Sequence, residues 1–160
     1  METESPTLNA IARYLSPNDV CLDVEVANKT RLFDFVGRHM EREHGLPQDW
    51  VVVSLSRREQ AGSTGLGQGI AIPHARVNGL DRILVLYARL KSSVDFDAPD
   101  GRPVSDVLVL LVPNPAADEH LRILAEATQM FSDRRFRKRL HASSNRQEVV
   151  QLFACWPEAK

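Results

Sequence analysis

Gly62-Ser63-Thr64-Gly65-Leu66-Gly67-Gln68-Gly69-Ile70-Ala71-Ile72-Pro73-His74 is the stretch around which the rest of the chain can be read. Four of the eight glycines fall within eight residues here, a density that allows positive φ and lets another molecule approach bare backbone. Ile70-Ala71-Ile72 reads as a brief buried strand, and Pro73 fixes φ and offers no N–H, so the strand is expected to stop there. His74 is thereby expected at a strand end beside a glycine loop. A flexible linker is also Gly-rich, but linkers do not run into a buried strand and a fixed histidine. The spacing lacks the Lys-Ser or Lys-Thr of a nucleotide-binding P-loop and the helix-opening G-x-G-x-x-G that follows a strand. What remains is a loop of backbone N–H groups and the Ser63 and Thr64 hydroxyls. They lie beside an imidazole that can serve as nucleophile, base or metal ligand.

Working outward, 160 residues with 43% hydrophobic content suffice for one domain with its own core. That domain is expected over 8–156, with flexible ends at 1–7 and 157–160. The formal net charge of −1 gives no global reason to expect nucleic acid or an anionic membrane as partner. No apolar run approaches the roughly 20 residues needed to span a bilayer, and the acidic Met1-Glu2-Thr3-Glu4 lacks the basic and apolar regions of a signal peptide, so a cytoplasmic protein is expected. Cys21 and Cys155 have neither redox nor zinc spacing and are expected as thiols.

On the N-terminal side, Leu8, Ile11, Ala12 and Leu15 recur at helical spacing until Pro17, and 20–26 is a candidate strand. From Lys29 a helix is expected, with Leu32, Phe35, Val36, His39 and Met40 on one face, Asn28 as cap, and Gly45 with Pro47 as stop signals. His39 and His44 belong to this helix as structural or solvated residues. Residues 48–60 send mixed signals: Val51-Val52-Val53 and Leu55 favour a strand, whereas Pro47 and Asp49 suit the start of a helix.

Beyond His74 come Arg76 and Asn78-Gly79, a strong hairpin signal. Residues 83–90 and 104–112 read as strands buried on both faces. The aspartates of the loop at 95–103 lack the spacing of a calcium loop. Pro113-Asn114-Pro115 forces a loop, after which Asp118 is expected to cap a helix with apolar positions Leu121, Leu124, Ala125, Thr128 and Phe131. His120 falls in its first turn, where the helix dipole disfavours an imidazolium and suits a neutral histidine near an anion. Arg134-Arg135-Phe136-Arg137-Lys138-Arg139 reads as a solvated helix face with Phe136 and Leu140 inward, and His141 as a surface or dipole-compensating residue. Ser144-x-x-Gln147 reads as a capping box for a last helix carrying Val149, Val150, Leu152 and Phe153. Interleaved strands and helices give an α/β class, a single sheet covered by helices, with the strand order open.

Arg58-Glu59 with Gly62-Ser63-Thr64-Gly65-x-Gly67-x-Gly69-Ile70-Ala71-Ile72-Pro73-His74 resembles the signature of the fructose/mannitol-type enzyme IIA domain of the bacterial phosphotransferase system. The resemblance continues through Phe96-Asp97-Ala98-x-Asp100-Gly101-x-Pro103-Val104, Leu110-Leu111-Val112-Pro113 and His120-Leu121, and so covers nearly the whole chain. It implies a mixed sheet sandwiched by helices and a helix at 48–60 that presents Arg58 and Glu59 at the mouth of the glycine loop. It also implies phosphoryl carriage on His74, with Nε2 as the reacting nitrogen and His120 facing it. A ring nitrogen attacks phosphorus only when neutral, and the remaining work is positioning and charge stabilisation. Arg58 and His120 are the candidate supporting groups, and Ser63, Thr64, Gly65, Gly67 and Gly69 the candidate phosphate cradle. Arg76 is a possible docking residue on the rim. No cofactor or metal is called for. The implied donor is HPr or its nitrogen-branch homologue, and the Leu110–Pro113 run is similar to the nitrogen-regulatory branch, whose members act on target proteins. Ala75, in place of that branch's glycine, and Gln68 depart from the pattern. A fructose-type IIA passing phosphate to a IIB domain is the alternative within the family, and a non-catalytic anion or metal sensor the alternative outside it.

Overall fold

The computed structural model describes residues 9–115 and 118–157. Residues 1–7 and 158–160 of the two expected flexible ends, and Leu8 of the first helical face, lie outside the described residues. Asn9 caps α1 (Ala10–Tyr14), accepting from the Ala12 N–H, and a 3-10 turn at Pro17–Asp19 feeds β1 (Val20–Val24). β1 stops short of Val26: Asp23 takes φ 56° and the register against the neighbouring strand shifts there. α2 (Lys29–His44) begins at Asn28, whose side chain accepts from the Arg31 N–H, and ends at Gly45 with φ 69°, as the capping signals indicate. α3 (Gln48–Ala61) is a helix despite its valines. Val51 and Leu55 point inward while Val53 is exposed, a helical sorting that tertiary packing imposes over β propensity.

The remaining strands are β2 (Gly65–Gly67), β3 (Ile70–Ala71), β4 (His74–Val77), β5 (Leu84–Val94) and β6 (Val104–Pro113). Together with β1 they form a mixed sheet in the order β1-β5-β6-β3-β2, with β4 also paired to β6. β5 lies antiparallel to β6, while β3 and then β4 run parallel along β6's other edge in unbroken register.

That register corrects two expectations. Pro73 interrupts the strand without ending it: the Ile72 N–H turns aside to Thr64 O, Pro73 offers its carbonyl to the Leu110 N–H at 3.0 Å, and pairing resumes at once. His74 therefore begins β4. Asn78-Gly79 does form a turn, with Gly79 at φ 86° and its Cα packed against the Trp50 ring. The turn joins no hairpin, because β4 and β5 both pair with β6, from opposite edges.

β5 and β6 are buried on both faces. Leu84, Leu86, Val107, Val109 and Leu111 meet Leu32, Val36, Met40, Val51 and Leu55 of α2 and α3. Val85, Tyr87, Leu108 and Leu110 meet a second layer built from α1, α4 (Asp118–Ser132), α5 (Arg134–Ala142) and α6 (Arg146–Ala154). The result is a helix-sheet-helix sandwich. In α4 the inward face is Ile123, Ala127, Met130 and Phe131, and Leu121, at 64% exposure, stands outside. The expected stripe was rotated because Leu121 and Thr128 fit the periodicity but not the packing. Asp118 lies inside α4 rather than before it. The cap of α6 is Asn145, accepting from the Glu148 N–H, one position beyond the expected Ser144. The carboxamide oxygen wins the capping position and Ser144 bonds the Glu148 side chain instead.

Candidate functional site

Side chains alternate along β3 and β4, so Ile72 and His74 face the α4 layer while Ala71, Ala75 and Val77 face the other core. β4 is an edge at this end of the sheet, and α3 packs beside it. Between β4, the end of α3 and the first turn of α4 opens a cavity of about 390 Å³. Its polar lining is Ser54, Arg58, His74, Arg76 and His120, and Leu110, Val112, Leu121, Ile123 and Leu124 supply most of the apolar wall. Residues from distant parts of the sequence thus converge on one mouth.

The His74 ring is held at both nitrogens. Nδ1 lies 2.8 Å from Ile72 O, and a carbonyl can only accept, so Nδ1 carries the proton. Nε2 is left with a lone pair, and Arg58 Nε donates to it at 3.3 Å while Arg58 Nη1 donates to Gly62 O at 2.8 Å. Burial pulls the imidazole below its ordinary pKa; the Ile72 carbonyl opposes this, the Arg58 guanidinium reinforces it, and the Glu59 charge opposes it. The ring is neutral at pH 7.

The glycine stretch does not line this cavity. The Ser63 hydroxyl donates to Phe96 O and accepts from the Gly65 N–H. The Thr64 hydroxyl and N–H both bind the Glu59 carboxylate. Gly65 and Gly67 pair with β3, Gly69 O accepts from the N–H groups of Ser105 and Asp106, and the Gln68 N–H binds Asp100. These polar groups are already committed within the fold, and Gly65 serves close packing: a Cβ there would meet Ala98 at 2.9 Å. Ser54 and the apolar wall went unnoticed in the sequence, although Ser54 stands one helical turn before Arg58, the spacing that shares a face.

The other histidines serve elsewhere. His39 is buried with Nε2 2.8 Å from Asp19 Oδ1, and His44 Nε2 lies 2.9 Å from the same oxygen. His141 is exposed, 3.6 Å from Asp106. Among the described residues, no group of three or more His, Cys, Asp or Glu side chains is placed to hold a metal ion, and no helix is long and apolar enough to cross a membrane.

A family model described as phosphoenolpyruvate-dependent sugar phosphotransferase system, EIIA 2, matches residues 13–155. The chain belongs to this family. This enzyme IIA domain is similar to the nitrogen regulatory protein of Pseudomonas aeruginosa, at 34% identity over 145 residues that cover 89% of this chain and 93% of that protein. The crystal structure of nitrogen regulatory protein IIA-Ntr from Neisseria meningitidis matches with a TM-score of 0.85 at 42% identity, covering 89% of this chain and 98% of that one. The enzyme IIA of mannitol from Escherichia coli, in its complex with phosphorylated enzyme IIB, matches with a TM-score of 0.72 at 22% identity, covering 88% and 96%. That last likeness is one of fold.

Proposed function

We propose that this enzyme IIA domain is a phosphoryl carrier that accepts a phosphoryl group on His74 Nε2 from the phosphohistidine of an HPr-like protein, and controls partner proteins through its phosphorylation state. The observation that carries the reading is the hydrogen bond from Nδ1 to Ile72 O, which holds the proton on Nδ1 and leaves the Nε2 lone pair on the cavity side of a ring that burial keeps neutral. In the transfer step that lone pair forms the new N–P bond while the donor's N–P bond breaks and its electrons stay on the donor nitrogen. No proton leaves His74. Nδ1 keeps its hydrogen against Ile72 O as positive charge develops on the ring. Arg58, already tethered at Gly62 O, exchanges its contact with Nε2 for one with the arriving phosphoryl oxygens, and Arg76 and His120 face the same space.

The similarity to nitrogen regulatory proteins favours the regulatory branch. Ala75, a departure from that branch's pattern, packs in the core at the register position of Leu111 and also lines the cavity beside His74. The phosphoryl group adds negative charge between Arg58 and Arg76, so an acidic partner drawn to this rim is released on phosphorylation and a basic one is recruited.

Incubation with phosphoenolpyruvate, enzyme I and the cognate HPr-like protein, followed by intact mass measurement, tests the reading. One acid-labile phosphate per chain, absent from His74→Ala, is the expected result. No uptake together with tight zinc binding by calorimetry would favour the sensor instead, and rapid onward transfer to a IIB domain would favour the sugar-transport role.

A further inference from the structure

Glu59 is a carboxylate in an unfavourable place. It sits near the C-terminal end of α3, where the helix carries partial negative charge, and its side chain is only 5% exposed. Lys29 Nζ lies 3.1 Å from Oε2, the Thr64 N–H donates to that same oxygen at 3.0 Å, and the Thr64 hydroxyl donates to Oε1. Lys29 is itself fixed, with Nζ 5.1 Å from the centre of the Phe96 ring. A buried carboxylate satisfied this way is costly to disturb, because removing any donor strands charge in a dry site.

Thr64 passes the constraint onward. Its carbonyl accepts from the Ile72 N–H at 3.0 Å, and the Ile72 carbonyl accepts from His74 Nδ1 at 2.8 Å. Glu59 and His74 are therefore joined through residues 64 and 72, each pinned to the next by a hydrogen bond. Its neighbour Arg58 reaches the opposite nitrogen directly, with Nε 3.3 Å from Nε2. Consecutive residues at the end of α3 address the two ends of one imidazole, and Thr64 of the glycine stretch, which lies outside the cavity lining, supplies the connection. The same Glu59 charge lies within electrostatic reach of the ring and favours its cationic form, the form the ring takes once Nε2 is bonded to phosphorus.

We propose that Glu59, held by Lys29, is a positioning residue: through Thr64 and Ile72 it fixes the His74 ring with the proton on Nδ1, so that Nε2 alone accepts the phosphoryl group. The last step rests on the carrier reading above; the tautomer follows from the hydrogen bonds alone.

The test uses the full chain with isotope-labelled histidine and long-range proton–nitrogen correlation, which reads the nitrogen that carries the hydrogen. Wild-type protein is expected to show His74 as the Nδ1–H tautomer alone. Glu59→Gln and Thr64→Val are expected to show both tautomers and to divide the phosphate between the two nitrogens. Single-turnover uptake should slow on the order of tenfold to a hundredfold, as small misplacements of reacting groups do, with KM for the HPr-like donor unchanged. Thr64→Ser restores the hydroxyl and is expected to restore both tautomer and rate. The pure Nδ1–H tautomer in Thr64→Val and Glu59→Gln, whatever their rates, would overturn the proposal, as would failure of Thr64→Ser to recover it. Should Glu59→Gln not fold, Thr64→Val decides alone, since it removes one hydroxyl and keeps the backbone. Wild-type protein that takes up no phosphate, yet shows a tautomer dependent on Glu59, would refute the carrier reading and leave Glu59 as the group that sets the ring.

Discussion

His74 and His39 are the same side chain placed in two settings of one protein, the first half-buried and the second buried, and they end in opposite states. Burial pushes each imidazole toward neutrality. At His74 the nearest groups are a carbonyl that accepts from Nδ1 and a guanidinium that donates to Nε2, so the neutral ring with a usable lone pair is the one that fits. His39 instead meets the Asp19 carboxylate through Nε2, with the Cys21 sulfur beside Nδ1. Against the burial that pulls it down, Asp19 and then Cys21 raise its pKa to about 9. His39 is a cation at pH 7, bonded to its counter-ion and unable to attack anything. Burial alone does not decide whether a histidine is a nucleophile; the partner at each nitrogen does.

The largest expected difference between the two regions is in phosphorylation. His74→Ala should abolish acid-labile phosphate by intact mass while its thermal midpoint stays within a few degrees of wild type, because a half-buried residue at the head of an edge strand contributes little to the core. His39→Gln should take up phosphate as wild type does. Uptake by His74→Ala would remove the distinction.

Next comes Arg58, whose guanidinium distinguishes the His74 setting. Arg58→Ala should slow single-turnover transfer on the order of 10² to 10³, the loss usual for one charge-stabilising donor, and His120→Ala should also slow it, both without preventing the phosphohistidine. Wild-type rates in quenched-flow measurements would place these residues outside the chemistry.

Asp19→Ala attacks the other region. It strands His39 and His44 without their shared carboxylate, and should cost about 3 kcal/mol in urea unfolding, the low end for a broken buried pair because an imidazole can shed its proton. Transfer by the folded protein should be unchanged. A variant as stable as wild type would show that the pair contributes nothing net.

The finest test is pH. His39 is raised from 6.5 to about 9 in the folded protein, so its stabilisation is fully present below pH 6.5 and lost as pH rises through 9, about 3 kcal/mol in all. Asp19 is lowered, with burial opposing its histidine partners, so its share is present above pH 3.8 and lost on acidification. His74, lowered, has the opposite sign from His39: the unfolded chain takes up the proton first, and stability falls as pH drops below 6.5. Unfolding free energies of wild type, His39→Gln and His74→Ala at pH 5, 7 and 10 should separate these signs. A His39→Gln difference that stays flat between pH 7 and 10 would contradict the ion pair.

Some of this was legible in the linear chain and some was not, for reasons visible in particular residues. Caps such as Asn28 and stops such as Gly45 were legible because they act on N–H groups within one turn. The wrong cap at Ser144 and the rotated stripe at Leu121 were near misses: adjacent residues offered similar local chemistry, and contacts with other elements chose between them. Ser63 and Thr64 looked like free hydroxyls beside a histidine because their partners, Phe96 O and Glu59, are invisible to spacing within the stretch.

The sequence by itself determined the α/β alternation, the long inward runs of β5 and β6, and the family through motifs whose residues lie close together in the chain. Periodicity and turn chemistry are local, and they act wherever the chain goes. Only the tertiary structure decided that β4 resumes beyond Pro73 along β6, which points His74 into the α4 layer. It alone brought Arg58, Arg76 and His120 to the same cavity and gave His74 a carbonyl where His39 received a carboxylate. Although Ile72 is only two residues from His74, the β6 register, the approach of Arg58 and the Asp19 partner of His39 join groups 16 or more residues apart, and no local pattern in the chain encodes which oxygen a given nitrogen will meet.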